Sequence, residues 1–290
     1  MIPFEEAHKQ FIDHLKEKDS ARSTVLAYGK DIEQLLTFVQ KELRKSEIQK
    51  IEKADLQKFL NHLAEIGFTP KTISRKINST KTFFRFLKIN EYITDDPAAL
   101  ISHPKFETPP PRILSETEYM ALRDAAKSDA RTYAIIEILL QTGIRIGELA
   151  QIKLDDIEIN EELEAGMLRI PPSRVTLGRN IPLNRAAVKA IQRYLEIRPD
   201  VEDRHLLVTR NGKPLAIRNI RAAVNRYFKQ AKIDNASVND LRHTWVAQHI
   251  KRGASLIVIS KLAGHKRIAT TEKYLKYVEP RKQKAELVEL

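Results

Sequence analysis

Cysteine is absent from this 290-residue chain. Disulfides, thiolate metal ligands and cysteine nucleophiles are therefore excluded, and a cytoplasmic location is the expectation. Long apolar runs are lacking too. None approaches the ~20 residues that a membrane-spanning helix needs, so no membrane partner is expected. The opening stretch MIPFEEAHKQFIDHL is acidic and amphipathic, unlike a signal peptide. Neither an internal repeat nor a low-complexity segment occurs.

What the chain does hold is charge of one sign. Its formal net charge is +12 and its pI is near 9.7. A polyanionic partner is the first expectation, because each Lys or Arg that pairs with a phosphate also releases a condensed counterion. The first 105 residues hold 18 basic and 15 acidic side chains, the remainder 32 and 23. The second part should therefore make the denser phosphate contact. A chain of this length is comfortable as two domains, each with its own core.

The first part reads as four helices. Phe4, Phe11, Ile12 and Leu15 recur at helical spacing. Ser23 and Thr24 offer an N-cap for a second helix with the stripe Val25, Tyr28, Ile32, Leu35, Leu36 and Val39. A third helix begins near Ala54 and ends before Gly67. A fourth starts at Thr69-Pro70. It is the most basic of the four, and Lys71, Arg75, Lys76, Lys81 and Arg85 are candidate DNA contacts, against the simpler reading of a solvated face. Pro97, Pro104 and Pro109 to Pro111 then favour an extended linker. The expected organisation is a helical domain at residues 1–95, a linker at 96–112, a second domain at 113–280 and a tail at 281–290. That tail carries Leu287, Val288 and Leu290 and is expected to fold back or to dock on a neighbouring protomer.

In the second part, Ser115 and Glu118 form a capping-box pattern. The apolar YAIIEILLQTG ends at Gly143, and IGELAQIKL reads as a further helix. The short alternating segments IEIN, MLRI and RNIPL predict a three-stranded antiparallel sheet within residues 157–183. Helices follow: AAVKAIQRYLEI, one from about Arg218, one over 242–252, one over 256–263 and one around Tyr274. The fold class is mainly α with a small antiparallel β-sheet.

Two arginines, a histidine and a tyrosine stand out as a set able to hold and attack a phosphodiester. Thr142, Gly143, Arg145, Glu148 and Leu149 form one motif. Arg242, the run Leu262-Ala263-Gly264-His265, Thr271 and Tyr274 form the other. In order and spacing these resemble the tyrosine recombinases of the Xer and phage-integrase type, and with the helical first part the resemblance covers nearly the whole chain. It implies a helical core-binding (SAM-like) domain, a mixed α+β catalytic domain, and a DNA strand transferase that needs neither metal, ATP nor another cofactor. It also implies double-stranded DNA recombination sites as substrate, a homo-tetramer on two such sites, and accessory proteins as a further class of partner.

The residue types fit that chemistry. Guanidiniums are permanently charged and donate in a fork, so Arg145 and Arg242 would stabilise charge on the non-bridging oxygens, with His265 as a third donor. Tyr274 would be the nucleophile, forming a 3′-phosphotyrosyl ester on the way to a Holliday junction. Tyr277 lies three residues off that spacing. Glu148 would orient Arg145. Two positions depart from the pattern. Asn239 stands where the family usually has histidine, or sometimes another basic residue, and it can donate a hydrogen bond but cannot act as a base. Arg174 occupies the slot of a lysine general acid, and a guanidinium is a poor proton donor. His243 adjoins Arg242, but one helical step turns it about 100° away, which places it off the site. Two alternatives remain open at this point. One is a non-catalytic DNA-binding regulator, with ELAQI as the first helix of a helix-turn-helix. The other is a type IB topoisomerase-like relaxing enzyme.

Overall fold

The computed structural model describes residues 2–107, 109–173 and 178–278. Arg174 and the apolar tail at 281–290 lie outside the described residues. The chain divides into two units, Met1–Thr108 and Pro109–Leu290.

The first unit holds α1 (Phe4–Glu17), α2 (Arg22–Glu42), α3 (Lys53–Glu65) and α4 (Pro70–Ile89). Phe11, Ile32, Leu35, Leu63, Phe83 and Leu87 pack between them, all buried. Thr69 caps α4 by accepting from the Thr72 amide at 3.3 Å, with Pro70 in the first turn. The α2 start is earlier than its sequence predicts. The Ala21 carbonyl takes the amides of Thr24 and Val25 at 2.7 and 3.0 Å, so Ser23 and Thr24 sit inside the first turn. The proline-rich segment is also not free over its whole length, because Ala98 and Ile101 pack into this core.

One expected DNA contact is corrected here. Lys76 points inward and is 4% exposed, with Nζ donating to Asp31 Oδ1 at 2.8 Å and to Gln34 Oε1 at 2.7 Å. Asp31 is buried and also accepts from Arg75 and from Ser79 Oγ. Its buried carboxylate needs these donors, and that need removes Lys76 from the surface. Lys71, Arg75 and Arg85 remain exposed, and Lys81 is half-buried.

The second unit begins with α5 (Glu116–Ala126), closed by the Ser115–Glu118 capping box, and α6 (Ala130–Thr142). Next come α7 (Ile146–Leu149), the strands β1 (Ile157–Asn160), β2 (Ala165–Ile170) and β3 (Arg179–Leu183), and α8 (Arg185–Leu195). The strands are antiparallel in the order β1-β2-β3, with Leu168 opposite both Ile157 and Ile181. Then follow α9 (Ile217–Gln230), α10 (Val238–Lys251), α11 (Leu256–Ala263), α12 (Ala269–Glu272) and a 3₁₀ turn (Lys273–Lys276). Among the described residues no helix is long and apolar enough to cross a membrane.

The α7 helix is one turn, not the longer helix expected over IGELAQIKL. Its backbone is drawn away: the Leu154 amide donates to Arg204 O and the Leu206 amide to Ile152 O, each at 2.8 Å. Those bonds replace the i to i−4 ladder, so ELAQI is not the first helix of a helix-turn-helix. The segment around Tyr274 is likewise a 3₁₀ turn and not an α-helix.

The Asp31 cluster gives a test of the first unit. Asp31→Asn leaves Lys76 charged and buried without its counter-ion, and should cost about 3–5 kcal/mol. Lys76→Met leaves Asp31 its Arg75 and Ser79 partners and should cost less. Urea unfolding followed by circular dichroism checks that order; equal losses would contradict it.

Candidate active site

Arg145 is placed by a helix end. The apolar α6 stops at Gly143, whose φ is +63°, a conformation that side chains disfavour. Space also demands glycine, since a Cβ there would lie 2.4 Å from the Trp245 ring. Buried Thr142 then receives the Ile144 amide on its hydroxyl at 3.4 Å and fixes the turn. Arg145 follows as the N-cap of α7, its amide donating to Glu148 Oε2 at 2.8 Å. Its guanidinium reaches Glu148 Oε1 at 3.1 Å and the Gly264 carbonyl at 2.9 Å.

Arg242 comes from α10, which opens with a Ser237–Asp240 capping box. The helix is pinned to α6 by the Trp245 indole, which donates to Gln141 O at 3.0 Å. Arg242 is 8% exposed. Its Nη1 donates to the Gly143 carbonyl. Its Nη2 is buried and has no hydrogen-bond partner among the described residues. Burial, and then the neighbouring Arg145, bring the guanidinium down to about 10. Glu148 opposes that fall, and Arg242 stays charged at neutral pH.

His265 follows α11, whose last residue meets Gly264 at φ +67°. A Cβ on Gly264 would stand 2.7 Å from Arg179 Nη1. The imidazole Nδ1 is 2.7 Å from the Thr271 hydroxyl, and Thr271 is fully buried. Burial, then Arg242, Arg145 and Arg179, lower its pKa to about 4. His265 is therefore neutral at pH 7.

Tyr274 is 6% exposed, in a small core with Trp245, Val246, Ile250 and Ile259. Its hydroxyl lies 2.5 Å from His243 Nδ1. Burial raises the phenol above its ordinary pKa, and Arg242 opposes that rise. Tyr277, the competing tyrosine, is 45% exposed.

The exclusion of His243 is thus overturned. The 100° step does turn it away from the side of α10 that holds Arg242. However, the 3₁₀ turn carrying Tyr274 lies on that other side. The sequence had no means of showing which face of α10 the tyrosine would approach.

Arg179 is a second residue that sequence reasoning missed. In β3 it alternates onto the face of Ile181 and Leu183, where apolar residues are expected, and its side chain is 8% exposed. It donates to Glu148 Oε1 and Oε2 at 3.0 and 2.9 Å and to the Leu262 carbonyl at 2.6 Å. Burial works against the Glu148 charge, yet Arg179 and the Arg145 amide outweigh it and hold the carboxyl below its ordinary pKa. The one available signal was the in-register position of an arginine on an inward face. Asn239 is exposed, one turn before Arg242.

Comparisons with known proteins find relatives along most of the chain. A model of the phage integrase family matches residues 112–279, and one of the phage integrase N-terminal SAM-like domain matches residues 8–91. A tyrosine recombinase XerC of Staphylococcus carnosus (strain TM300) is 30% identical over 280 residues, covering 92% of this chain and 90% of that protein. A tyrosine recombinase XerD of Staphylococcus saprophyticus is 29% identical, covering 89% of each. Among solved structures, XerH bound to a palindromic difH substrate aligns with TM-score 0.75 at 18% identity, covering 93% of this chain and 81% of that one. A lambda integrase tetramer bound to a Holliday junction aligns with TM-score 0.72 at 19% identity, covering 92% and 78%. At these identities the two structures speak to the fold alone.

A depressed histidine gives a pH test. His265 resists protonation when folded, so its contribution to stability is complete above pH 6.5 and is lost progressively as pH falls toward about 4. NMR titration of the free protein should place the His265 ring near 4, and His265→Gln should flatten part of the fall in unfolding midpoint across that window. A ring titrating near 6.5 would contradict the buried, arginine-flanked setting.

Proposed function

The chain belongs to the phage integrase family, and from that premise we propose how this tyrosine recombinase works and which residues carry its chemistry. The observation that supports the reading best is the unpaired buried edge of Arg242, beside the Tyr274 hydroxyl and the charge of Arg145. A buried donor without a partner costs about 1–3 kcal/mol. A phosphate oxygen arriving there removes that cost and meets two guanidiniums at once.

In this reading Arg145 and Arg242 hold the non-bridging oxygens of the scissile phosphate, and neutral His265 donates a hydrogen bond to them. Tyr274 Oη attacks phosphorus. The P–O5′ bond breaks, leaving a 3′-phosphotyrosyl ester and a free 5′-hydroxyl. One phosphodiester replaces another of similar energy, so the step reverses when a 5′-hydroxyl from the partner duplex attacks. Rejoining in that way gives strand exchange through a Holliday junction without ATP. Glu148 and Arg179 position the clamp without touching the phosphate. Asn239 sits on the exposed turn before Arg242, where it can donate to DNA. Arg174 is a poor proton donor, so His265 or water is left to protonate the leaving oxygen.

Strand exchange needs two duplexes, and we place a homo-tetramer on two recombination sites, with one pair of protomers cutting first. The solved lambda integrase tetramer on a Holliday junction supports this arrangement. Lys71, Arg75, Lys81 and Arg85 of α4 are the proposed DNA contacts of the first unit. The reading puts the protein in the cytoplasm, with accessory proteins as further partners.

A nicked suicide substrate tests it. Wild type should form a covalent protein–DNA adduct that Tyr274→Phe abolishes. Arg242→Ala should slow adduct formation by roughly 10²–10³-fold, as loss of a charge-stabilising donor does. An adduct that survives in Tyr274→Phe and vanishes in Tyr277→Phe would move the nucleophile. Relaxation of supercoiled DNA lacking paired sites, with no strand exchange, would replace the recombinase reading by a topoisomerase-like one.

A further inference from the structure

We propose that His243 is the proton acceptor for Tyr274, doing the work that Asn239 cannot do. The inference rests on Tyr274 being the nucleophile. Its basis is geometric: His243 Nδ1 lies 2.5 Å from the tyrosine hydroxyl, between α10 and the 3₁₀ turn. That is within the hydrogen-bond reach that a general base needs of the proton it takes. The ring accepts at Nδ1 when its own proton sits on Nε2.

Other bases near the nucleophile are poorly placed. His265 turns its Nδ1 to Thr271 and is hemmed by Arg242, Arg145 and Arg179, which oppose a second positive charge. Asn239 has no basic atom. Glu148 is saturated by Arg179 and Arg145. Asp240 accepts from the Ser237 amide at 2.6 Å and from the Ser237 hydroxyl at 3.0 Å.

The groups facing His243 decide its protonation. From α10, Asp240 favours the charged ring and Arg242 disfavours it; beyond α11 stands His265, and Tyr274 faces it from the 3₁₀ turn. Burial leads, and the pKa of His243 falls below its ordinary 6.5. The ring is thus neutral, and able to accept, at physiological pH. Tyr274 needs such a partner, since its own pKa is raised.

The step balances. As Tyr274 Oη bonds to phosphorus, its proton moves to His243 Nδ1, and the P–O5′ pair leaves with the 5′-oxygen, which takes a proton from His265 or water and becomes the 5′-hydroxyl. In the reverse direction an incoming 5′-hydroxyl returns that proton as its oxygen attacks phosphorus, the P–Oη bond breaks, and the imidazolium returns its proton to the tyrosine.

Single-turnover adduct formation on the nicked substrate, measured from pH 5 to 9, separates the outcomes. Wild type should gain rate with pH up to a break below 6.5 and then level off. His243→Ala should be slower at pH 7 by roughly 10²–10⁴-fold, the usual scale for a lost general base. Its rate should keep climbing to pH 9, and added imidazole should restore part of it. His243→Gln keeps a polar side chain at the position but cannot take the proton, and should share the slow, climbing profile. Gel-shift affinity should be unchanged in both variants. A wild-type rate in His243→Gln would overturn the proposal. So would a slowed rate that keeps the wild-type pH profile. Absence of any adduct with wild type on DNA that it binds would overturn the nucleophile reading itself, and this inference with it.

Discussion

Glu148 is the contact on which the site depends. Its carboxylate accepts from Arg179 through both oxygens and from Arg145 through the amide and the guanidinium. Those two arginines in turn hold the carbonyls of Leu262 and Gly264. One negative charge thereby ties β3, α7 and the end of α11 into a single frame. The loop that carries His265 is fixed because its backbone is held from two sides, and Gly264 has no Cβ because Arg179 fills that space. Local charge follows from the same count. Arg145, Arg179 and Arg242 share one carboxylate, so the frame leaves an excess of positive charge beside the Tyr274 hydroxyl. A pocket with that imbalance is suited to a phosphate.

Burial then sets the strength of each effect. In partly dehydrated surroundings charges interact more strongly than in water. The arginines push His265 away from protonation, so its ring is neutral at pH 7. Tyr274 is pushed the other way, toward a higher pKa, which keeps its hydroxyl protonated beside His243. The unpaired edge of Arg242 and the raised phenol are therefore two aspects of one arrangement, burial beside concentrated positive charge.

Much of this was legible in the sequence because it is local. The Thr69-Pro70 start, the Ser115–Glu118 box, the caps at Gly143 and Gly264 and the three-stranded sheet follow from neighbours a few residues apart. Arg145, Arg242, His265 and Tyr274 were legible through their spacing. The rest depends on long-range packing. Lys76 looks like its basic neighbours on α4, and only Asp31, far away on α2, turns it inward. Arg179 looks like a surface residue of a strand until Glu148 is placed opposite. The ELAQI segment has helical residues, but pairing with the backbone near residue 205 outbids local preference.

His243 shows why helical phase alone was insufficient. Arg242 and His243 are successive residues on α10, so they face different partners. Arg242 meets the α6 end at Gly143, and His243 meets the turn that carries Tyr274. Two partners on two sides require two adjacent faces of one helix, and consecutive residues supply them at a fixed angle. The rotation of α10 then sets both at once. Trp245, three residues beyond Arg242, locks that rotation by bonding to Gln141 and covering Gly143. Arg242 and His243 are in this way registered to each other through the backbone of a single turn, and Gly143 is the point at which the close approach of α6 permits it.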